Sequence, residues 1–304
     1  MYRRSFRILA LMVVALGFVV AKPAQAQGDQ ICFRNVPGIG SCISGRFYEY
    51  WRQNGGLPVF GYPLTGEFEQ RTPEGTFTVQ YFERQRFELH PEKPRPYDVL
   101  LGRLGDEVLR RQGRDWRADP VPTTIPGDVC RRYEVTRHIV CGDILVYWFG
   151  HGLRLDNNPS TSYTEALALF GLPLMEAKQE TNPDGFRVLT QWFERARIEY
   201  HPNNPDPFKV LLGRLGAEVL NGLQSTVGGE QFSHNAATRT LRIESLRDGS
   251  ITTVTYTNAT PIRCSTGGAA PANILNTANL KVSAEGTYDA RGVLRANSIT
   301  ALCP

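Results

Sequence analysis

An internal duplication is the strongest constraint on what this chain can fold into. The segment YFERQRFELHPEKPRPYDVLLGRLGDEVL, starting at Tyr81, realigns without a gap on WFERARIEYHPNNPDPFKVLLGRLGAEVL, starting at Trp192, with 19 of 29 positions identical at an offset of 111 residues. Upstream, Phe60-Gly61-Tyr62-Pro63-Leu64 answers Phe170-Gly171-Leu172-Pro173-Leu174, and Tyr50-Trp51 answers Tyr147-Trp148. A cysteine couple, a Tyr-Trp segment, a glycine, an FGxPL turn, an FERxRxExHP run and a VLLGRLG run thus occur twice in one order. Such self-similarity predicts two copies of one supersecondary unit. The second copy adds a polar stretch at 156–162, expected to be a surface loop.

The cysteines follow the repeat. Cys32 and Cys42 flank a short loop, Cys130 and Cys141 do the same in the second copy, and Cys264 and Cys303 bracket the last segment. Six cysteines allow about 15 pairings, but the matched places of the two short couples favour local disulfides. No couple has the two-to-four-residue gap of a zinc knuckle, so no metal site is expected.

Within each copy the residue pattern is mixed. Residues 46–54 read as a short helix ended by Gly55-Gly56, with Phe47, Tyr50 and Trp51 on one face. Residues 76–82 and 86–90 read as paired strands, with Phe87 and Leu89 pointing one way and Arg86, Glu88 and His90 the other. VLLGRLG is ambiguous, because its leucines suit a helix while each glycine costs one about 1 kcal/mol. A Pro-bearing stretch with Pro120, Pro122 and Pro126 reads as a stiff spacer, and Gly228-Gly229 as a second break. Beyond it, alternating runs at 240–243, 251–256 and 293–299, separated by turn residues, read as a hairpin-built β unit. The expected architecture is α+β and β-rich: disulfide-stapled modules at 31–113 and 129–224, a linker at 114–128, and a small β-barrel at 230–304.

Residues 1–26 have the layout of a secretory signal peptide. Arg3, Arg4 and Arg7 precede an apolar run over 8–20, and Ala24-Gln25-Ala26 forms a small-residue cleavage site. The run is short of the roughly 20 apolar residues of a membrane span, so cleavage near Ala26 and a secreted or cell-envelope location are expected, by either the general or the twin-arginine route. The full chain has a formal charge of +4, yet the leader holds four of the 34 basic residues and none of the 30 acidic ones. The mature chain is therefore formally neutral. With no Lys/Arg block it lacks the footprint of a nucleic-acid binder.

The repeated Trp, Gly-Gly, FGxPxT, FERxRxExHP and LGxLG pattern resembles tandem modules of bacterial exported proteins, and more distantly the LGFP repeat of cell-wall-associated proteins. The likeness covers roughly residues 31–224, with Phe60 standing where the repeat's name has Leu. It implies attachment to envelope polysaccharide, often beside a separate catalytic domain. The tail, with VTYTNATPI and GTYDARGVLRANSI, resembles a small OB-like barrel domain of bacterial exported proteins.

The duplicated triplets Arg86, Glu88, His90 and Arg197, Glu199, His201 are the leading candidates for chemistry. A strand face offering a guanidinium fork, a carboxylate and an imidazole suits sugar hydroxyls or proton transfer; it equally suits a ladder of ion pairs that locks the hairpin. Tyr50, Trp51, Tyr147, Trp148 and Trp192 read as sugar-stacking rings or as core. There is no GxSxG, HExxH or phosphate-binding glycine loop, and no cofactor is called for. A glycosidase needs only two carboxylates, for which Glu83 and Glu194, or Glu88 and Glu199, are the first places to look. The expected function is non-catalytic binding of cell-envelope or extracellular polysaccharide; the alternatives are a structural or protein-interaction array and a carbohydrate-active enzyme.

Overall fold

The computed structural model describes residues 29–303 except 73, 157, 247 and 248. The expected signal peptide therefore lies outside the described residues. Among those described, no helix is long and apolar enough to cross a membrane. The chain is α+β and rich in strands.

The first module runs β1 (Gln30–Cys32), β2 (Cys42–Ser44), α1 (Gly45–Gln53), α2 (Gly56–Phe60), β3 (Phe68–Thr72), β4 (Gly75–Tyr81), β5 (Arg86–Leu89), β6 (Val99–Leu101) and α3 (Leu104–Arg111). The second has the same succession: β7 (Cys130–Arg132), β8 (Ile139–Cys141), α4 (Gly142–Gly150), α5 (Tyr163–Phe170), β9 (Lys178–Thr181), β10 (Arg187–Trp192), β11 (Arg197–Tyr200), β12 (Val210–Leu212) and α6 (Leu215–Leu220). Each has a two-stranded ribbon closed by a disulfide, Cys32–Cys42 or Cys130–Cys141, and a four-stranded antiparallel sheet, β3-β4-β5-β6 or β12-β11-β10-β9. The expected hairpin pairs Val79 with Glu88 and Tyr81 with Arg86.

VLLGRLG resolves into both of its readings. Its first three residues form the edge strand β6 or β12, and the rest opens α3 or α6. Sequence reasoning missed α2. At Gly55 and Gly56 the backbone is left-handed, with φ of 101° and 57°, so the chain turns and restarts a helix where the two glycines suggested only a stop.

The third unit holds β13 (Gln224–Asn235), β14 (Thr240–Glu244), β15 (Ile251–Thr255), β16 (Ile262–Cys264), β17 (Lys281–Tyr288) and β18 (Leu294–Ala301). Its sheet has the order β15-β14-β13-β17-β18-β16, and parallel pairing of β15 with β18 joins strands from its two sides. Cys264–Cys303 ties β16 to the end of β18. Gly228-Gly229 is not a break: β13 starts at Gln224, before the expected 230, and runs through both glycines. A Cβ at Gly229 would stand 2.0 Å from the Glu244 carbonyl oxygen, so close strand approach explains this glycine.

The modules do not hang apart on the linker. Phe60, Phe82 and Phe87 of the first share one core with Trp148, Phe170 and Phe193 of the second, while Leu104, Leu215 and residues of the third unit share another. The linker is tethered as well: Trp116 Nε1 donates to Asp106 Oδ1 at 2.6 Å, and Arg114 pairs with Glu180 at 2.7 Å.

Candidate functional site

The junction between the modules accounts for most of the repeated motif. Glu83 Oε2 accepts from the Tyr62 backbone N–H at 3.1 Å, capping its own FGxPL turn, and Oε1 accepts from Arg214 of the other module at 3.1 Å. Reciprocally, Glu194 accepts from the Leu172 N–H at 3.2 Å and pairs with Arg103 at 3.0 Å. The Gly105 N–H donates to the Glu194 carbonyl and the Ala217 N–H to the Glu83 carbonyl, both at 3.1 Å. A Cβ at Gly105 would lie 1.9 Å from the Phe193 carbonyl oxygen, and one at Gly216 1.9 Å from that of Phe82. The last glycine of each VLLGRLG run is thus required by the opposite module. Glu83 and Glu194, candidates for acid/base work, are held in turn caps and ion pairs across this junction.

The other glycine of the run serves the triplet. A Cβ at Gly102 would meet the Arg86 guanidinium at 2.9 Å, and one at Gly213 would meet that of Arg197 at 2.6 Å. Arg86 lies over the Tyr81 ring, and its Nη2 donates to Glu107 Oε1 at 2.7 Å while Nε donates to Glu88 Oε1 at 2.9 Å. Arg197 lies over Trp192, donating to Glu199 at 2.7 Å and to Glu218 at 2.9 Å. One guanidinium between two carboxylates joins strand to helix in both modules. Burial opposes the charge on each arginine, but Tyr81, Glu107 and Glu88 around Arg86, and Glu218 and Glu199 around Arg197, outweigh it and raise both pKa values. Burial likewise pushes the Glu199 carboxyl up, and Arg197, Asn182 and His201 more than offset it, leaving its pKa below the ordinary value.

Both triplets are buried, Glu199 at 4% exposure more so than Glu88 at 7%, and they differ in what covers the histidine. In the first module Arg86 is 1% exposed, and the Phe77 ring covers His90 with ring centroids 4.3 Å apart. The strand register puts Val188 where Phe77 stands, opposite His201. With the smaller side chain there, a groove of about 690 Å³ opens over Arg197, Glu199 and His201. Its wall is the 182–186 loop, one residue longer than its counterpart. Asn182 Nδ2 donates to Glu199 Oε2 at 2.8 Å and Asn182 Oδ1 accepts from the Phe186 N–H at 2.9 Å. His201 Nε2 lies 3.0 Å from the same Glu199 oxygen, and the Phe186 ring, 61% exposed, stands edge-on to His201. Asp184, Arg187 and Asn203 line the groove with no side-chain partner among the described residues. Arg84 and Arg291 bring the first module and the third unit to its rim.

Of the two readings of the Tyr-Trp pairs and Trp192, core is the one that four of the five rings take. Tyr50, Trp51, Trp148 and Trp192 are buried in the cores, and Tyr147 is half-buried with its face against His151 at 4.0 Å. Sequence reasoning missed Asn182 and Phe186, although Asn-Pro-Asp-Gly-Phe is a visible turn signal. It also missed Gln80 and Gln191. These buried amides hold the ribbon to the sheet, Gln80 donating to Cys42 and Thr65 carbonyls at 2.7 and 2.8 Å and Gln191 to those of Ile139 and Met175 at 2.8 and 3.0 Å. Comparison with protein-family models, curated proteins and solved structures returns no match.

Proposed function

We propose that this chain is an exported, non-catalytic protein whose second module binds cell-envelope or extracellular polysaccharide in the groove over Arg197, Glu199 and His201. The observation that carries the reading is the contrast in what covers the two histidines: the Phe77 ring lies over His90, whereas Val188 at the matching place leaves a groove beside His201 that the 182–186 loop walls. The groove combines an exposed aromatic face with a carboxylate, an amide and a guanidinium left without partners, the mixture that packs against a pyranose ring and bonds its hydroxyls. In this reading the first module is a scaffold related to LGFP-like wall repeats, and the third unit is an OB-like barrel. The strand circuit β13-β14-β15-β18-β17, with one parallel pairing, supports the barrel assignment. Three disulfides fit an oxidising compartment.

Retention of the mature protein on insoluble peptidoglycan and on neutral and acidic polysaccharides tests the proposal. Retention by the wild type and, on the neutral polymers, its loss in Phe186→Ala are expected. No retention on any polymer leaves the structural-array reading in its place. Release of soluble sugar would replace it with the enzymatic one.

A further inference from the structure

We infer a second binding site, a cation-lined groove between the two modules that takes an acidic polysaccharide through its carboxylate or phosphate oxygens. It does not depend on the groove over Arg197. Its cavity of about 850 Å³ lies between α1, the loop with the cis Arg95-Pro96 peptide, and residues 154–156, 158 and 159 of the second module. Four arginines line it, Arg46, Arg52, Arg95 and Arg154, against a single lining acid, Asp156.

Two of the four are already engaged. Arg46 grips Asp98 through Nε and Nη2 at 2.7 and 2.8 Å, and Arg95 pairs with Glu49 at 2.9 Å. Arg52 and Arg154 are exposed, and neither has a carboxylate partner among the described residues. Their backbones are fixed relative to one another. The Arg154 N–H donates to Asn54 Oδ1 at 2.7 Å, and Asn54 Nδ2 donates to the Tyr50 carbonyl at 2.8 Å, at the end of the helix that carries Arg52. Asp156 Oδ1 accepts from the Asn158 N–H at 2.7 Å, which holds this acid to its own loop.

Guanidinium forks match the paired oxygens of carboxylates and phosphates, and a concave surface concentrates their field. Two unpaired forks from different modules suit anions repeated along a polymer better than one isolated ion. Residues 154–156, 158 and 159 lie in or beside the polar stretch that the second copy adds, which has no equivalent in the first copy.

The test uses the mature full chain, measuring affinity for soluble polygalacturonate, a phosphodiester-bearing mannan and neutral dextran at about 0.05 and 0.3 M salt, on either side of the ionic strength at which screening becomes short-ranged. We expect binding to one or both acidic polymers, which also separates the carboxylate source from the phosphate source, weakening at the higher salt. Arg52→Gln combined with Arg154→Gln should weaken it about tenfold or more, with an unchanged melting temperature. Phe186→Ala, which belongs to the other groove, should leave acidic-polymer affinity unchanged. Dextran affinity that falls in the double variant as far as acidic-polymer affinity does, binding to neither acidic polymer, or wild-type acidic-polymer affinity in the double variant would each overturn the inference.

Discussion

Arg86 and Arg197 have one chemistry in two settings, and substitution should separate their structural part from any role in binding. Arg86→Met would leave Glu88 and Glu107 without their cation in a buried setting, and a loss of about 3–5 kcal/mol in denaturant unfolding is expected. Phe186→Ala removes an exposed ring, so stability should change by no more than about 0.5 kcal/mol. Glu199 adds a pH signature. Its folded pKa is lowered below the unfolded value of about 4.3, so its contribution is present above that value and lost as pH falls through the folded pKa. Asp98, lowered chiefly by its bond to Arg46, acts in the same sense. The melting temperature should therefore drop as pH falls below about 4, and Glu199→Gln should flatten that drop; an unaltered acid limb would show that Glu199 does not contribute. The alternation that puts Arg, Glu and His on one strand face was legible in sequence. Their burial was not, because it depends on Phe77 from the neighbouring strand and Glu107 from α3.

At the level of elements, the strand-to-helix step in VLLGRLG resists reading from local propensity because both of its glycines answer to partners distant in sequence. One makes room for the arginine of the triplet and the other for a carbonyl of the opposite module. Gly105→Ala or Gly216→Ala should each destabilise by about 3 kcal/mol or more through overpacking against backbone, whereas Gly113→Ala, where a Cβ meets nothing but φ is 70°, should cost about 1 kcal/mol. Calorimetry on the three variants gives the ranking, and equal costs would remove the close-approach account. The pair Phe77 and Val188 gives a second test at this scale. Val188→Phe should close the groove and abolish retention on neutral polysaccharide while keeping the fold; retention there at the wild-type level would mean that the polymer sits elsewhere.

For the molecule as a whole, the two shared cores predict joint unfolding. The chain without residues 1–26 should show a single calorimetric transition with matching calorimetric and van't Hoff enthalpies, and separate transitions for the modules would contradict the packing of Phe82 and Phe193 in one cluster. The sequence by itself determined the duplication, the pairing of the cysteines within it, the hairpin with its two-faced alternation and the β-built tail. Each of these is written in local spacing, and local spacing is what backbone periodicity reads. Only the tertiary structure decided that the FER glutamates and the LGRLG glycines hold the modules together, that Tyr50, Trp51 and Trp148 face inward, and that an aromatic ring covers one triplet's histidine while a groove runs beside the other's. Those outcomes rest on contacts between residues about a hundred positions apart, and on one side-chain difference, Phe77 against Val188, whose effect appears only when two strands lie side by side.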